Sequence, residues 1–225
     1  MIASESVFDT FAHEYDSWFD NEGSLIYKIE LKAFQEVLPS LSKPWLEVGV
    51  GSGRFAKAIG IDTGIDPSIN LLKIARRRGI NVFHGSGEYS LFERETFGTV
   101  FLIVTLCFVK SPAAIIRQAR RVLKQDGKLA IGLVLRENPW GDYYQNKKWQ
   151  GHRFYRHATF YSFEEVQGYL KKTGFSIEQV LSTLFQKPGE VKRMEIPLKH
   201  FYRDAGFVVI VAGKRDGKRM GKVTK

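Results

Sequence analysis

Residues 45–53, Trp-Leu-Glu-Val-Gly-Val-Gly-Ser-Gly, set Gly49, Gly51 and Gly53 at alternating positions behind an acidic residue, Glu47. Glycines in such a run let the backbone turn sharply and let a ligand approach with no Cβ in the way. A dinucleotide-binding loop would read Gly-x-Gly-x-x-Gly, but Arg54 occupies the place of its third glycine. With no second nucleotide-binding half either, a nicotinamide dehydrogenase is disfavoured. Asp66 follows Glu47 by 19 residues, inside Gly64-Ile65-Asp66-Pro67-Ser68. An acid there can accept both hydroxyls of a ribose, and its place after the glycine loop favours that role over a plain turn before a helix.

Three histidines, His13, His152 and His157, have the chemistry of a general base toward an amine or hydroxyl, although each also suits a surface or packing position. His152 and His157 lie five apart with no carboxylate or cysteine at ligand spacing, so no metal site is expected. Cys107 is the sole cysteine, which excludes an internal disulfide or a cysteine-rich zinc site and fits a reducing cytoplasm. Residues 137–160 hold seven aromatics in 24 positions (Trp140, Tyr143, Tyr144, Trp149, Phe154, Tyr155 and Phe160), about twice the chain average of 13%. The segment reads as a long functional loop, too polar and irregular for a core element, whose rings would suit a planar or cationic acceptor.

The elements that must position these groups follow an α/β alternation. Strands are predicted at 45–48, 63–66, 81–84, 99–104 and 128–135, with helices at 54–59, 69–78 and 113–123 between them, the last stopping at Asp126-Gly127. Such alternation builds a parallel sheet with helices on both faces. A helix is also expected at 24–38. Ser162-Phe163-Glu164-Glu165 reads as a capping box opening a helix that ends near Thr173-Gly174, with Tyr161 and Val166 as its staple. Strand-like runs at 176–185 and 207–212 have no helix between them, so they form an antiparallel closing pair. The expected fold is a Rossmann-like, doubly wound, seven-stranded sheet, mostly parallel, with an antiparallel C-terminal strand.

Acidic-x-Gly-x-Gly-x-Gly at 47–53 resembles motif I of the class I S-adenosylmethionine-dependent methyltransferases, and further segments match that family in order. Gly85-Ser86-Gly87-Glu88 stands where the family has Gly-Asp-Ala-Glu against the adenine, with Ser86 replacing the usual Asp. Residues 97–109 resemble the fourth strand and its turn, and 121–129 the helix-turn-strand ending Leu-Lys-Pro-Gly-Gly. Phe8-Asp9-x-x-Ala12-x-x-Tyr15-Asp16-x-Trp18 is similar to the lid of bacterial small-molecule methyltransferases, including those of quinone biosynthesis. The resemblance spans about residues 8–175. It implies that S-adenosylmethionine is held by Tyr15, Glu47, Gly49, Gly51, Gly53, Asp66, Pro67, Ser68, Gly85, Ser86, Gly87, Glu88, Thr105 and Leu106. Its methyl group would pass to an acceptor by in-line displacement, with Trp18, Phe108, Arg136, Trp140, Tyr144 and Tyr155 facing that acceptor. Tyr15 and the three histidines are the catalytic candidates. Cys107 lacks the preceding proline of cytosine-C5 methyltransferases, and this strand lacks the Asp/Asn-Pro-Pro-Tyr/Phe signature of amino-directed DNA enzymes.

The implied organisation is an N-terminal helical lid at 1–40, a methyltransferase domain at 41–213 with an acceptor-site insertion at 137–160, and a basic flexible tail at 214–225. The tail accounts for half of the net charge of +10: residues 213–225 carry six Lys/Arg and one Asp, leaving 28 basic and 23 acidic residues elsewhere. A terminal charge run of this kind is expected to be solvated rather than an RNA-binding arm. The longest apolar run, 100–109, is far short of the ~20 residues of a membrane span, and residues 1–6 show no secretory leader. A cytoplasmic enzyme, monomeric or homodimeric, acting on a small-molecule nitrogen, oxygen or carbon acceptor is expected. The competing readings are an RNA or protein methyltransferase using the tail, and a cofactor-binding module without turnover.

Overall fold

The computed structural model describes residues 7–89 and 91–215. Residues 1–6, where no leader was expected, and all but Lys214 and Arg215 of the expected tail lie outside the described residues.

Eight strands form one sheet in the order β3-β2-β1-β4-β5-β8-β6-β7. The strands are β1 (Trp45–Val48), β2 (Thr63–Asp66), β3 (Asn81–His84), β4 (Phe97–Ile103), β5 (Leu123–Leu133), β6 (Phe175–Thr183), β7 (Leu198–Lys199) and β8 (Phe207–Lys214). β1 to β5 are parallel, and β8 runs antiparallel to both of its neighbours, β5 and β6. The doubly wound class is as expected. The eighth strand is an addition: the two-residue β7 folds out of the 186–205 loop onto the edge of β6, pairing Leu181 with Lys199. Chain direction of the winding reverses between β1 and β4, so a crevice opens beyond their carboxyl ends, where such sheets bind ligands.

β4 is buried at every position, as a parallel strand covered on both faces must be. One face packs on α3 (Ser24–Val37) and α4 (Arg54–Ile59), with Phe34 within 6.2 Å of the Phe101 ring and 6.3 Å of Phe207. The other packs on α6 (Pro112–Val122), whose Ile115, Ile116, Ala119 and Val122 form one buried stripe. α6 ends four residues before Asp126-Gly127: Leu123 already pairs with Phe97, and a bulge lets 124–127 loop out before Lys128 pairs with Thr99. α8 (Phe163–Lys172) opens on the expected capping box, Ser162 and Glu165 exchanging bonds of 3.1 and 2.7 Å, with Tyr161 and Val166 both buried.

Two departures matter for the site. Within the first 40 residues only α1 (Val7–Thr10) and α2 (Ala12–Trp18) sit over the crevice, whereas α3 is a core helix. And residues 139–149 are not a loop. Asn138 caps α7 (Pro139–Trp149) by accepting from the Trp140 and Gly141 amides at 2.9 Å, with Pro139 at its first position.

Candidate functional site

A cavity of about 550 Å³ runs from the glycine loop to the aromatic segment. Its floor is the β1–α4 loop. Gly49 (φ +78°) and Gly51 (φ +53°) hold the left-handed conformation that glycine permits. A Cβ on Gly49 would strike the Thr105 side chain at 2.4 Å, whereas one on Gly51 would point at Tyr15, 3.7 Å away, into the space a ligand would use. Gly53 is internal, packed on Ala75.

Asp66, at the end of β2, stitches this loop in place: one carboxylate oxygen accepts from Gly51 N (2.9 Å) and the other from Ser68 N (2.8 Å). Each oxygen keeps a lone pair for a ribose hydroxyl. Burial raises the Asp66 carboxyl to about 6, against the lowering effect of those two amides. Glu47 is 2% exposed and lines the cavity with Oε2 unpartnered. Burial, with the Asp66 charge adding to it, pushes its carboxyl well up. A buried orphan acceptor next to a Cβ-free cradle fits a cationic nucleoside such as S-adenosylmethionine, with Glu47 available to its ammonium group and Asp66 to its ribose.

Tyr15 also lines the cavity, whereas Asp66, Gly53 and the remaining cofactor candidates lie outside its lining. Ser68 caps the helix α5 (Ile69–Arg77), accepting from Leu71 N at 3.2 Å, and the Pro67 carbonyl meets His84 Nε2 at 3.0 Å. Gly85 N donates to the Asp66 carbonyl, and a Cβ on Gly87 would lie 2.1 Å from Val48. Ser86 Oγ accepts from the Glu88 amide (3.3 Å), and Glu88 accepts from Ser111 N at 2.7 Å, so both side chains brace the loop. Thr105 Oγ1 donates to backbone carbonyls of Val48 and Ile103, and Leu106 is fully buried in the core.

Each residue of the N-terminal motif has a part in docking α1 and α2 over the floor. Asp9 accepts from Ser68 Oγ (2.8 Å) and Asn70 N (2.9 Å). Ala12 packs on Leu71 and Ile74. Phe8 sits edge-on to Tyr15 and Phe108 and stacks on Phe154. Asp16 binds Arg54 and Arg78, and Trp18 packs across Gly23, which has no Cβ to obstruct it. The Tyr15 hydroxyl is held neutral chiefly by burial, with the Tyr155, Asp66 and Glu47 charges reinforcing it.

On the acceptor side, Trp18, Phe108, Tyr144 and Tyr155 line the cavity together with His152. Two acceptor candidates are not among its lining residues. Trp140 is a core residue, 2% exposed, whose indole donates to the Gln186 carbonyl at 2.8 Å. Arg136 pairs with Glu165 and Glu137. His13 and His157 are exposed and outside the lining, His157 accepting from Arg156. Burial, with Lys147 and Arg153 adding to it, lowers the His152 pKa and keeps its ring neutral. Among the described residues no cluster could hold a metal.

Sequence reasoning passed over Glu30, which lines this cavity from α3 while 6% exposed. The signal was there: Ile26, Glu30, Ala33 and Val37 share one helix face, so a charged residue occupies a core position.

A methyltransferase domain model matches residues 46–131. An uncharacterized protein of Methanocaldococcus jannaschii is 41% identical over 209 residues, covering 93% of this chain and 99% of that one. One from Mycobacterium tuberculosis is 41% identical over 204 residues, covering 89% and 71%. The crystal structure of a SAM-dependent methyltransferase from Thermotoga maritima, described as a possible histamine N-methyltransferase, superposes with a TM-score of 0.87 at 35% identity, covering 93% of this chain and 98% of that one. The chain therefore belongs to the class I S-adenosylmethionine-dependent methyltransferases.

Proposed function

We propose that this protein transfers a methyl group from S-adenosylmethionine to a nitrogen, oxygen or carbon atom of a small molecule held in the aromatic half of the cavity. The observation that carries this reading is a single cavity joining the glycine loop to the wall of Tyr144, Tyr155 and Phe160, roofed by α2. Its volume, about 550 Å³, is in the range of small-molecule sites. The Thermotoga relative's description, with histamine as the suggested acceptor, falls in the same substrate class. No described helix is long and apolar enough to cross a membrane.

When bound, S-adenosylmethionine supplies a methyl group on a sulfonium, and the departing sulfur becomes a neutral thioether. The chain's own task is then mainly positional, and holding reactants in line can supply ~7–11 kcal/mol of the barrier. Glu47 and Asp66 fix the two polar ends of the cofactor, the α1–α2 lid excludes water, and Trp18, Phe108 and Tyr155 orient the acceptor. His152, neutral and in the lining, takes the proton of an amine or hydroxyl acceptor.

Calorimetry with S-adenosylhomocysteine, with NADH as control, tests the cofactor. Micromolar binding that Asp66→Asn weakens at least tenfold is expected, and no binding by the wild type refutes the reading. Transfer of labelled methyl to a panel of amines, phenols and activated carbon acids then identifies the acceptor atom.

A further inference from the structure

Of the four carboxylates in the cavity lining, Glu14 pairs with Arg153, Glu22 is exposed and Glu47 faces the glycine loop, which leaves Glu30 as the buried one with no evident duty toward the cofactor or the lid. It projects from the middle of α3 beside Ile29, Ala33 and Phe34, all fully buried, into the acceptor half of the cavity. Among the described residues nothing hydrogen-bonds or ion-pairs with it. Its polar neighbours are the hydroxyls of Tyr144 and Tyr155, whose rings pack on each other at 4.5 Å. Lys147 also lines the cavity, but its ammonium lies 4.8 Å over the Tyr143 ring and forms no ion pair with Glu30. A carboxyl buried without a partner costs several kcal/mol against an apolar side chain in the same place. A core helix retains such a group where something outside the chain completes it.

We propose that Glu30 is the recognition group for a cationic acceptor: an organic amine whose ammonium pairs with the Glu30 carboxylate while its apolar body lies against Tyr144, Tyr155 and Phe160. The inference rests on the methyl-transfer reading for the direction of the site, and it narrows the acceptor from any small nucleophile to a molecule carrying an amine, whose paired nitrogen must lose a proton before it can itself take the methyl group. The donor set selects this class. One buried anion among aromatic faces suits an ammonium through charge and cation–π attraction, and repels a carboxylate or phosphate. Glu47 and Asp66 would hold the polar ends of the cofactor, which leaves Glu30 for a second cation.

This pairing has a protonic signature. Burial alone raises the empty Glu30 carboxyl to about 8, so at neutral pH it is mostly protonated and must shed its proton to pair with an ammonium. The titratable and charged groups facing the same space are Tyr144, Tyr155, Lys147 and His152 from the α7 side, Tyr15 and Glu14 from α2, Glu22 from the segment after it, Arg54 from α4, Cys107 from the β4 side and Glu47 from β1. Of these, His152 is already neutral and the buried tyrosines and Cys107 have raised values, so they hold their state near pH 7.

The test is calorimetry at pH 7, with and without S-adenosylhomocysteine, using 2-phenylethylamine, tryptamine and histamine against the neutral isostere 2-phenylethanol. The proposal expects at least one amine to bind about tenfold or more tighter than the alcohol. Titrations in buffers of differing ionisation heat should show proton release on amine binding. Glu30→Gln should erase both the preference and the release with unchanged S-adenosylhomocysteine affinity and a melting temperature at pH 7 no lower than the wild type's, and Glu30→Asp should retain part of each. Equal affinity for amine and alcohol, no amine binding, or a preference that survives Glu30→Gln overturns it. Failure of S-adenosylhomocysteine to bind would instead sink the methyl-transfer reading, while the amine titrations still judge Glu30.

Discussion

Arg54 grips Asp16 with two parallel bonds, Nε to Oδ1 at 2.8 Å and Nη2 to Oδ2 at 3.1 Å, joining the first residue of α4 to the lid helix. The residue that breaks a dinucleotide fingerprint is thus the latch of this fold's lid. Arg54 also reaches Asp20, and Arg78 adds a bond to Asp16 at 2.8 Å, so two guanidinium groups converge on one carboxylate. Burial would raise Asp16, but the bonds from Arg54, Arg78 and Ser52 outweigh it and hold the carboxyl well below the usual range.

Releasing the latch should loosen the lid before it unfolds the domain. Asp16 and Arg54 are only 15% and 17% exposed, so the pair is not a screened surface bridge. Asp16→Asn is expected to lower stability by about 1–3 kcal/mol and to speed S-adenosylhomocysteine dissociation at least tenfold. Denaturant unfolding and stopped-flow dissociation measure the two. Wild-type dissociation in the variant would mean the lid does not gate the site.

Stability of the ligand-free protein should fall as pH rises from about 4.5 toward 8. Glu30 is raised to about 8, Asp66 to about 6, and Glu47 is raised as well, in each case chiefly by burial. Over that window the unfolded chain has lost these protons while the folded chain still holds them, so folding grows less favourable with rising pH. The slope per group approaches ~1.4 kcal/mol per pH unit between its two pKa values. Below about pH 4 the opposite holds for Asp16, whose contribution disappears as it is protonated. Melting temperatures from pH 4.5 to 8 should decline in the wild type and flatten in Glu30→Gln; parallel curves would show that Glu30 is not the group responsible.

The glycine loop should separate folding from binding at two positions. Gly51→Ala adds a methyl group with nothing nearer than 3.7 Å but with φ at +53°. It should cost roughly 1–2 kcal/mol of backbone strain and weaken S-adenosylhomocysteine at least tenfold by intruding on its space. Gly49→Ala meets Thr105 at 2.4 Å and should destabilise considerably more. Thermal melts and calorimetry on both variants give the comparison, and unaltered binding by Gly51→Ala would place the cofactor elsewhere.

The doubly wound, mostly parallel sheet and the glycine loop were legible because they rest on local rules: runs of apolar residues, a capping box, an acid and glycines at fixed spacing. The acceptor side was not, for reasons visible in particular residues. Trp140 and Tyr144 look alike in a list of aromatics, but α7 turns the first into the core under Gln186 and the second into the cavity. Helical phase, not composition, decides between them, and the 139–149 segment has aromatic and polar residues on all sides, so its period was masked. Glu30 was hidden by the opposite effect, a polar residue inside an obvious apolar stripe. β7 arises from long-range pairing of two residues, which leaves no periodic trace.

Trp140 and Tyr155 should therefore fail in different ways. Trp140→Ala removes a buried indole and its bond to Gln186, and should cost about 3–5 kcal/mol with little change in acceptor affinity for the fraction still folded. Tyr155→Ala should leave more stability and raise the KM for the acceptor. Chemical denaturation set beside acceptor saturation curves distinguishes the two, and an unchanged KM in Tyr155→Ala would remove it from the acceptor wall.

Among the histidines, only His152 combines cavity placement with a value held below the ordinary one, by burial first and then by Lys147 and Arg153. Its proton-accepting form therefore persists to pH values where a solvent-exposed histidine is already charged. As the general base, His152 should give methyl transfer an acid limb whose midpoint lies below 6.5. His152→Ala should then lower kcat by about 10²-fold or more and abolish that limb, with S-adenosylhomocysteine affinity unchanged. His13→Ala and His157→Ala, both outside the cavity lining, should leave the whole profile as it is. If His152→Ala instead raises only the KM and keeps the limb, the ring it lays against Tyr155 at 4.8 Å is a wall of the acceptor site, and the proton goes to another group.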